Sequence, residues 1–127
     1  MKKSFLSVIL LVALALNLNI SSYASVGDVQ SLKLERWESD QCIFNSEDME
    51  MNDDVLTISV SIETSNPDYI IKVVDRTENN IVASLSSRET SLYHSFGSII
   101  NPNHDYEVHI FNVGFSLLRG KLMAVID

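Results

Sequence analysis

The densest run of oxygen ligands in the chain is Asp48-x-Glu50-x-Asn52, followed directly by Asp53 and Asp54. Alternating carboxylates and amides of this kind suit a hard cation such as calcium. A loop of EF type also wants a glycine after the third ligand and an acid six positions later, where this chain has Asp53 and Ser59. Met49 and Met51 alternate with the acids. The segment is therefore expected as an edge strand with its carboxylates outward, ending in an Asn52-Asp53-Asp54 turn. Charged edges also discourage strand-to-strand aggregation.

Transition-metal chemistry would fall to His94, His104 and His109. Zinc needs at least two of them to converge. Alternation sets them apart, with His94 inward, His104 in a loop and His109 outward. Cys42 is the single cysteine and has Glu38, Asp40 and Glu47 around it rather than bases, so nothing lowers its pKa. It is expected as a small half-buried apolar residue. No serine lies in a nucleophile elbow, since Gly114-Phe115-Ser116 lacks the closing glycine. The chain is read as a non-enzyme without metal or cofactor.

Composition narrows the partners. The chain has 127 residues, 9 Lys and Arg against 17 Asp and Glu, and a formal charge of −8. A net negative surface repels phosphate backbones and anionic lipid, which argues against nucleic acid or a membrane surface. Residues 1–24 have the build of a signal peptide: Lys2 and Lys3, an apolar run from Phe5 to Leu16, and a Ser22-Tyr23-Ala24 cleavage site. That run falls short of the roughly 20 apolar residues that span a bilayer. Cleavage would leave 103 residues (127 less 24) with a charge of −10, Lys2 and Lys3 being lost. Ser25, not Cys42, would then come first, so no lipid anchor is expected. The expected location is secreted or periplasmic.

The elements that must position any site are strands, because period-two alternation dominates. Leu56, Ile58, Val60 and Ile62 share one face, with Thr57, Ser59, Ser61 and Glu63 on the other. Asn66-Pro67-Asp68 is a turn. Tyr69 to Arg76 is apolar on both faces and reads as an interior strand. Glu78-Asn79-Asn80 closes a hairpin into Ile81–Ser86. A short strand is expected at Leu92–Phe96, another at Asp105–Asn112, and a last one carrying Leu118, Gly120, Leu122, Ala124 and Ile126 inward. Leu32 and Leu34 alternate only weakly. The fold class is all-β, an immunoglobulin-like antiparallel β-sandwich of about seven strands. Its segments are a signal peptide at 1–24, an acidic arm or first strand at 25–46, and the sandwich at 47–127.

Landmarks from Met49 onward follow a recognisable order: Asp54-Val55-Leu56-Thr57-Ile58-Ser59-Val60, then Ile71-Lys72-Val73-Val74-Asp75 before an asparagine-containing hairpin. Tyr106-x-Val108-x-Ile110 and a closing strand around Gly120 complete it. This order resembles the small secreted immunoglobulin-like domains of unknown function abundant in gut anaerobes. It is also similar to the C-terminal sorting domains of the type nine secretion route. The chain departs from both at Glu78-Asn79-Asn80 and at His104-Asp105, where glycine is common. The resemblance implies a sandwich and export, and it transfers no functional residues.

Completing the alternation yields a candidate surface. With Ile71 and Val73, Tyr106, Val108 and Ile110, and Leu122, Ala124 and Ile126 inward, their neighbours point out. Those are Ile70, Lys72 and Val74, then Glu107, His109 and Phe111, then Arg119, Lys121, Met123 and Val125. Three such strands side by side would make an apolar band with basic ends, an interaction face. The expected function is an exported binding module that joins a protein through this face. A carbohydrate-binding module is the first alternative, with Trp37, Tyr69, Tyr93 and Phe111 as stacking platforms, Trp37 serving equally well as a core plug. A self-associating assembly subunit that donates residues 26–46 by strand addition is the other.

Overall fold

The computed structural model describes residues 26–127. The expected signal peptide, residues 1–24, lies outside the described residues. Eight strands follow in order: β1 (Val26–Leu34), β2 (Ser39–Phe44), β3 (Val55–Ile62), β4 (Tyr69–Asp75), β5 (Asn80–Ser87), β6 (Ser91–Ser98), β7 (Tyr106–Asn112) and β8 (Leu118–Ile126). They form two antiparallel sheets, one ordered β1-β8-β3-β6 and the other β2-β7-β4-β5. No helix among the described residues is long and apolar enough to cross a membrane.

Pairing joins β1 to β8, β2 to β7, β3 to β6 and β4 to β5. The chain is thus one long antiparallel hairpin, its tip between β4 and β5, rolled so that successive pairs alternate between the sheets. This is the order of a double-sheet jelly roll. The expected class, an all-β antiparallel sandwich, holds. It has eight strands, and its four-plus-four order replaces the four-plus-three of a constant-type immunoglobulin domain.

Inner rows follow the alternation. Leu56, Ile58 and Val60 from β3, Ile71 and Val73 from β4, Val108 and Ile110 from β7, and Leu122, Ala124 and Ile126 from β8 are all buried. Burying a Val, Leu or Ile side chain contributes about 1.5–3 kcal/mol, so these rows are the main force holding the sheets together. Gly120 sits where β8 crosses closest to β3. A Cβ there would overlap the Ser61 carbonyl oxygen and come 2.8 Å from Ile62 Cα.

Three expectations need correction. Of the two alternatives for 25–46, a first strand and not an arm is what the described residues form: β1 pairs along its whole length with β8 and buries Leu32 and Leu34, while β2 follows and buries Cys42 and Phe44. Cys42 is fully buried rather than half-buried. Nor is 48–52 an edge strand. A turn of 3-10 helix at Ser46–Asp48 precedes it, Met49 is buried, and the Asp53 carboxylate accepts the Glu50 N–H at 2.6 Å. The acids here close a local turn instead of pairing in a ladder.

Candidate functional site

Four loops gather at one end of the sandwich: 35–38, 63–68, 88–90 and 113–117. The first is only four residues long and must carry the chain from one sheet to the other. It does so through Trp37, whose φ of +72° is left-handed. Such a conformation costs an L-residue roughly 1–2 kcal/mol and persists only where the surroundings impose it. Here the Trp37 N–H donates to the Asn112 carbonyl at 2.7 Å, and the Asn112 N–H donates to the Glu38 carbonyl at 3.0 Å.

Asn112 is the anchor. It holds the inward phase of β7, after Tyr106, Val108 and Ile110, and is 1% exposed. A polar group so placed must find partners inside. Its Nδ2 donates to the carbonyls of Leu34 at 2.8 Å and Ser116 at 2.9 Å, while its Oδ1 accepts the Gly114 N–H at 2.9 Å. Asn112 therefore ties loop 35–38, through its backbone, to loop 113–117, through its side chain.

The side chains presented by these two loops stack. The Arg36 guanidinium lies 4.6 Å from the Trp37 ring centroid and 3.8 Å from that of Phe115. Trp37 is 66% exposed and Phe115 86%. Cation–π contact of this kind contributes about 0.5–1 kcal/mol at exposed sites. Arg36 forms no ion pair with a described residue, although the chain carries 17 acids. Trp37 is therefore no core plug, and sequence reasoning gave Arg36 and Phe115 no binding role.

The expected interaction face is divided by the fold. Ile70, Lys72 and Val74 lie beside Phe111, His109 and Glu107 in register on the outer side of one sheet. Arg119, Lys121, Met123 and Val125 belong to β8, on the outer side of the other sheet. The first group is half-buried: Glu107 holds His109 Nε2 at 2.7 Å and Arg76 Nε at 3.1 Å, His109 stacks on Phe111 with its Nδ1 buried and without a hydrogen-bond partner, and Lys72 Nζ lies 5.4 Å from the Phe111 ring. On the second face Lys33 stands opposite Arg119, and Val29, Met123, Ser59 and Tyr93 form one row. Tyr93 is 77% exposed. Tyr69 cannot stack a sugar, being fully buried with its hydroxyl donated to the Glu89 carbonyl at 2.8 Å.

At the opposite end His104 meets Asp75. The buried Asp75 carboxylate accepts the Thr77 and Glu78 N–H groups, both at 2.9 Å, and lies 2.7 Å from His104 Nδ1. Burial pushes the Asp75 carboxyl up, but those backbone hydrogen bonds and His104 outweigh it and hold the group below its ordinary value. A His–Asp pair can orient a base for a nucleophile. In this protein Asn101 Nδ2 stands 3.3 Å from His104 Nε2, and the pair clamps loop 99–105 to the β4–β5 hairpin. Among the described residues no group of three His, Cys, Asp or Glu is placed to hold a metal ion.

No family model matches the chain, and no curated protein does. Among solved structures it is similar to a mitogen derived from Yersinia pseudotuberculosis, with a TM-score of 0.60 and 9% identity over 80% of this chain and 86% of that one. It is also similar to a Bacillus endospore appendage protein that forms disulfide-linked pili, with a TM-score of 0.46 and 10% identity over 80% and 85%. A periplasmic inhibitor of g-type lysozyme from Aeromonas hydrophila gives a TM-score of 0.45 and 10% identity over 81% and 86%. At 9% identity the likeness to the mitogen is one of fold, and it sets this chain among two-layered antiparallel β-sandwiches.

Proposed function

We propose that this chain is an exported, non-catalytic binding module that grips a protein partner through the Arg36–Trp37–Phe115 tip. The observation that carries this reading is one guanidinium in contact with two exposed aromatic rings, on loops braced by the buried Asn112. Trp and Arg dominate binding hot spots because they combine large contact area with directed polar donors. Stacking uses the faces of the guanidinium. Its N–H donors lie in the guanidinium plane and remain for a carboxylate of the partner.

Trp37 is the only tryptophan, so its emission reports on the tip directly. Adding the partner captured from the native envelope fraction should shift that emission to the blue. Phe115→Ser and Arg36→Gln should each weaken capture at least tenfold, with Tyr93→Ala unchanged. Capture that survives both tip substitutions would overturn the assignment.

One observation favours a second reading. Tyr93 stands exposed among Ser59, Ser61 and Thr57 of β3 and Ser91 and Ser95 of β6, a hydroxyl-rich face with one aromatic ring. Such a surface suits a sugar. Glycan-array signal lost on Tyr93→Ala and kept on Phe115→Ser would favour it.

A further inference from the structure

The two sides of the sandwich are finished differently. On one side the edge strands β1 and β2 bury Val26, Gly27, Leu32, Leu34, Cys42 and Phe44, and Gln30 Nε2 bridges them by donating to Asp40 Oδ2 at 3.0 Å. On the other side the edge strands are β5 and β6, and neither buries a single residue. Their inner rows, Val82, Ala83 and Leu85 on β5 and Leu92 and Phe96 on β6, pack against the core only in part.

Natural edge strands are usually guarded by charge, proline or a β-bulge. β6 has one bulge, at Phe96 near its C-terminal end, where its register against β3 shifts. Along Ser91–Ser95 it has no guard: residues 90–103 contain no Asp, Glu, Lys or Arg, and the only proline among them is Pro102, past the end of the strand. Thr57, Ser59 and Ser61, the outward residues of β3 beside it, are uncharged as well. By contrast β5 is flanked by Glu78 and Arg88 and lies next to Lys72. Two copies of a chain with a formal charge of −8 repel one another over most of their surfaces. Along β6 they do not.

The geometry points to β6 as a self-association edge, where a second copy of this chain adds its own β6 antiparallel across a two-fold axis. That pairing is isologous, so one uncharged edge supplies both halves of the interface. It joins two four-stranded sheets into one of eight, with Tyr93 of each copy at the two-fold axis and Ser91 of one copy opposite Ser95 of the other. It also satisfies the unpaired backbone groups of both edges. The tip loops are untouched, so this association is independent of partner binding there.

Sedimentation velocity on the full processed chain tests it across a wide concentration range. The expected result is a reversible monomer–dimer equilibrium. The double substitution Ser91→Lys with Ser95→Lys changes only outward side chains and should raise the dimer dissociation constant at least tenfold. Ser31→Lys on β1 should leave it within twofold. Tyr93→Cys should form an intermolecular disulfide on mild oxidation, with little background because Cys42 is buried. A chain that stays monomeric at every concentration overturns the proposal. So does a dimer weakened by Ser31→Lys and indifferent to the β6 pair.

Discussion

The side-chain amide of Asn112 donates to the carbonyl oxygen of Leu34 at 2.8 Å, joining the end of β7 in one sheet to the end of β1 in the other. The same amide reaches Ser116, and its oxygen takes the Gly114 N–H. Three hydrogen bonds from one buried group make it the keystone of the loop end. Asn112→Ala leaves the Leu34 carbonyl and the Gly114 N–H without that partner in the interior, at about 1–3 kcal/mol for each unsatisfied group before relaxation. The expected outcome is a loss of about 2–4 kcal/mol in urea unfolding, with Trp37 emission moved even in the folded state. Stability within experimental error of the parent would refute the keystone role.

Trp37 should behave in the opposite way. Its side chain is largely exposed and its φ of +72° is one that glycine adopts freely. Relief of strain offsets the greater flexibility of glycine in the unfolded chain, so Trp37→Gly should change stability by no more than about 1 kcal/mol. Binding at the tip should nevertheless be lost. Calorimetry and a binding assay on the same sample separate the two effects.

Acid should loosen the other end first. The Asp75 carboxyl is held below its ordinary value in the folded chain. A depressed folded pKa contributes stability that is present above the unfolded value, about 4, and is lost as pH falls through the folded one. Asp75→Asn should therefore cost about 1–3 kcal/mol at neutral pH. The gap to the parent should narrow as pH drops below about 4. Unfolding curves at neutral and acid pH that run parallel would contradict this.

Gly120 leaves no room for a side chain. Gly120→Ala places a methyl group against the Ser61 carbonyl and Ile62 Cα, so β3 and β8 must part. The expected cost is about 3 kcal/mol or more, because overpacking here acts on backbone rather than on a side chain that can turn aside. A Tm unchanged by the substitution would show that the strands can separate cheaply.

Cys42 should be silent to alkylating reagents in the native state. Burial, and then the charges of Asp28 and Asp40, push its thiol up to about 12. Thiolate is the reactive form, so modification should follow global unfolding and speed up in denaturant. Fast labelling in buffer alone would show that the β1–β2 side opens.

The central strands could be read from the chain because their burial has a strict period. The inner rows of β3, β4, β7 and β8 all lie where alternation put them. β1 and β2 were obscured since each meets the core with only part of its length. Charged Asp28, Lys33 and Asp40 interrupt their pattern, as suits edge strands. Asn112 did carry a signal, a polar residue on the apolar phase two positions before a glycine, which marks a buried anchor.

Sequence by itself determined the two-layered strand architecture, because a period of two sorts side chains into a core face and a solvent face without reference to the rest of the chain. It could not determine which strands share a sheet. Assigning β8 to the sheet of β3 depends on how the long hairpin rolls, and that rolling split the expected interaction face in two. Nor could spacing bring Arg36 and Trp37 to Phe115, which stand in loops far apart along the chain. Only the closure of both sheets at that end, with Asn112 between them, sets the guanidinium against the two rings.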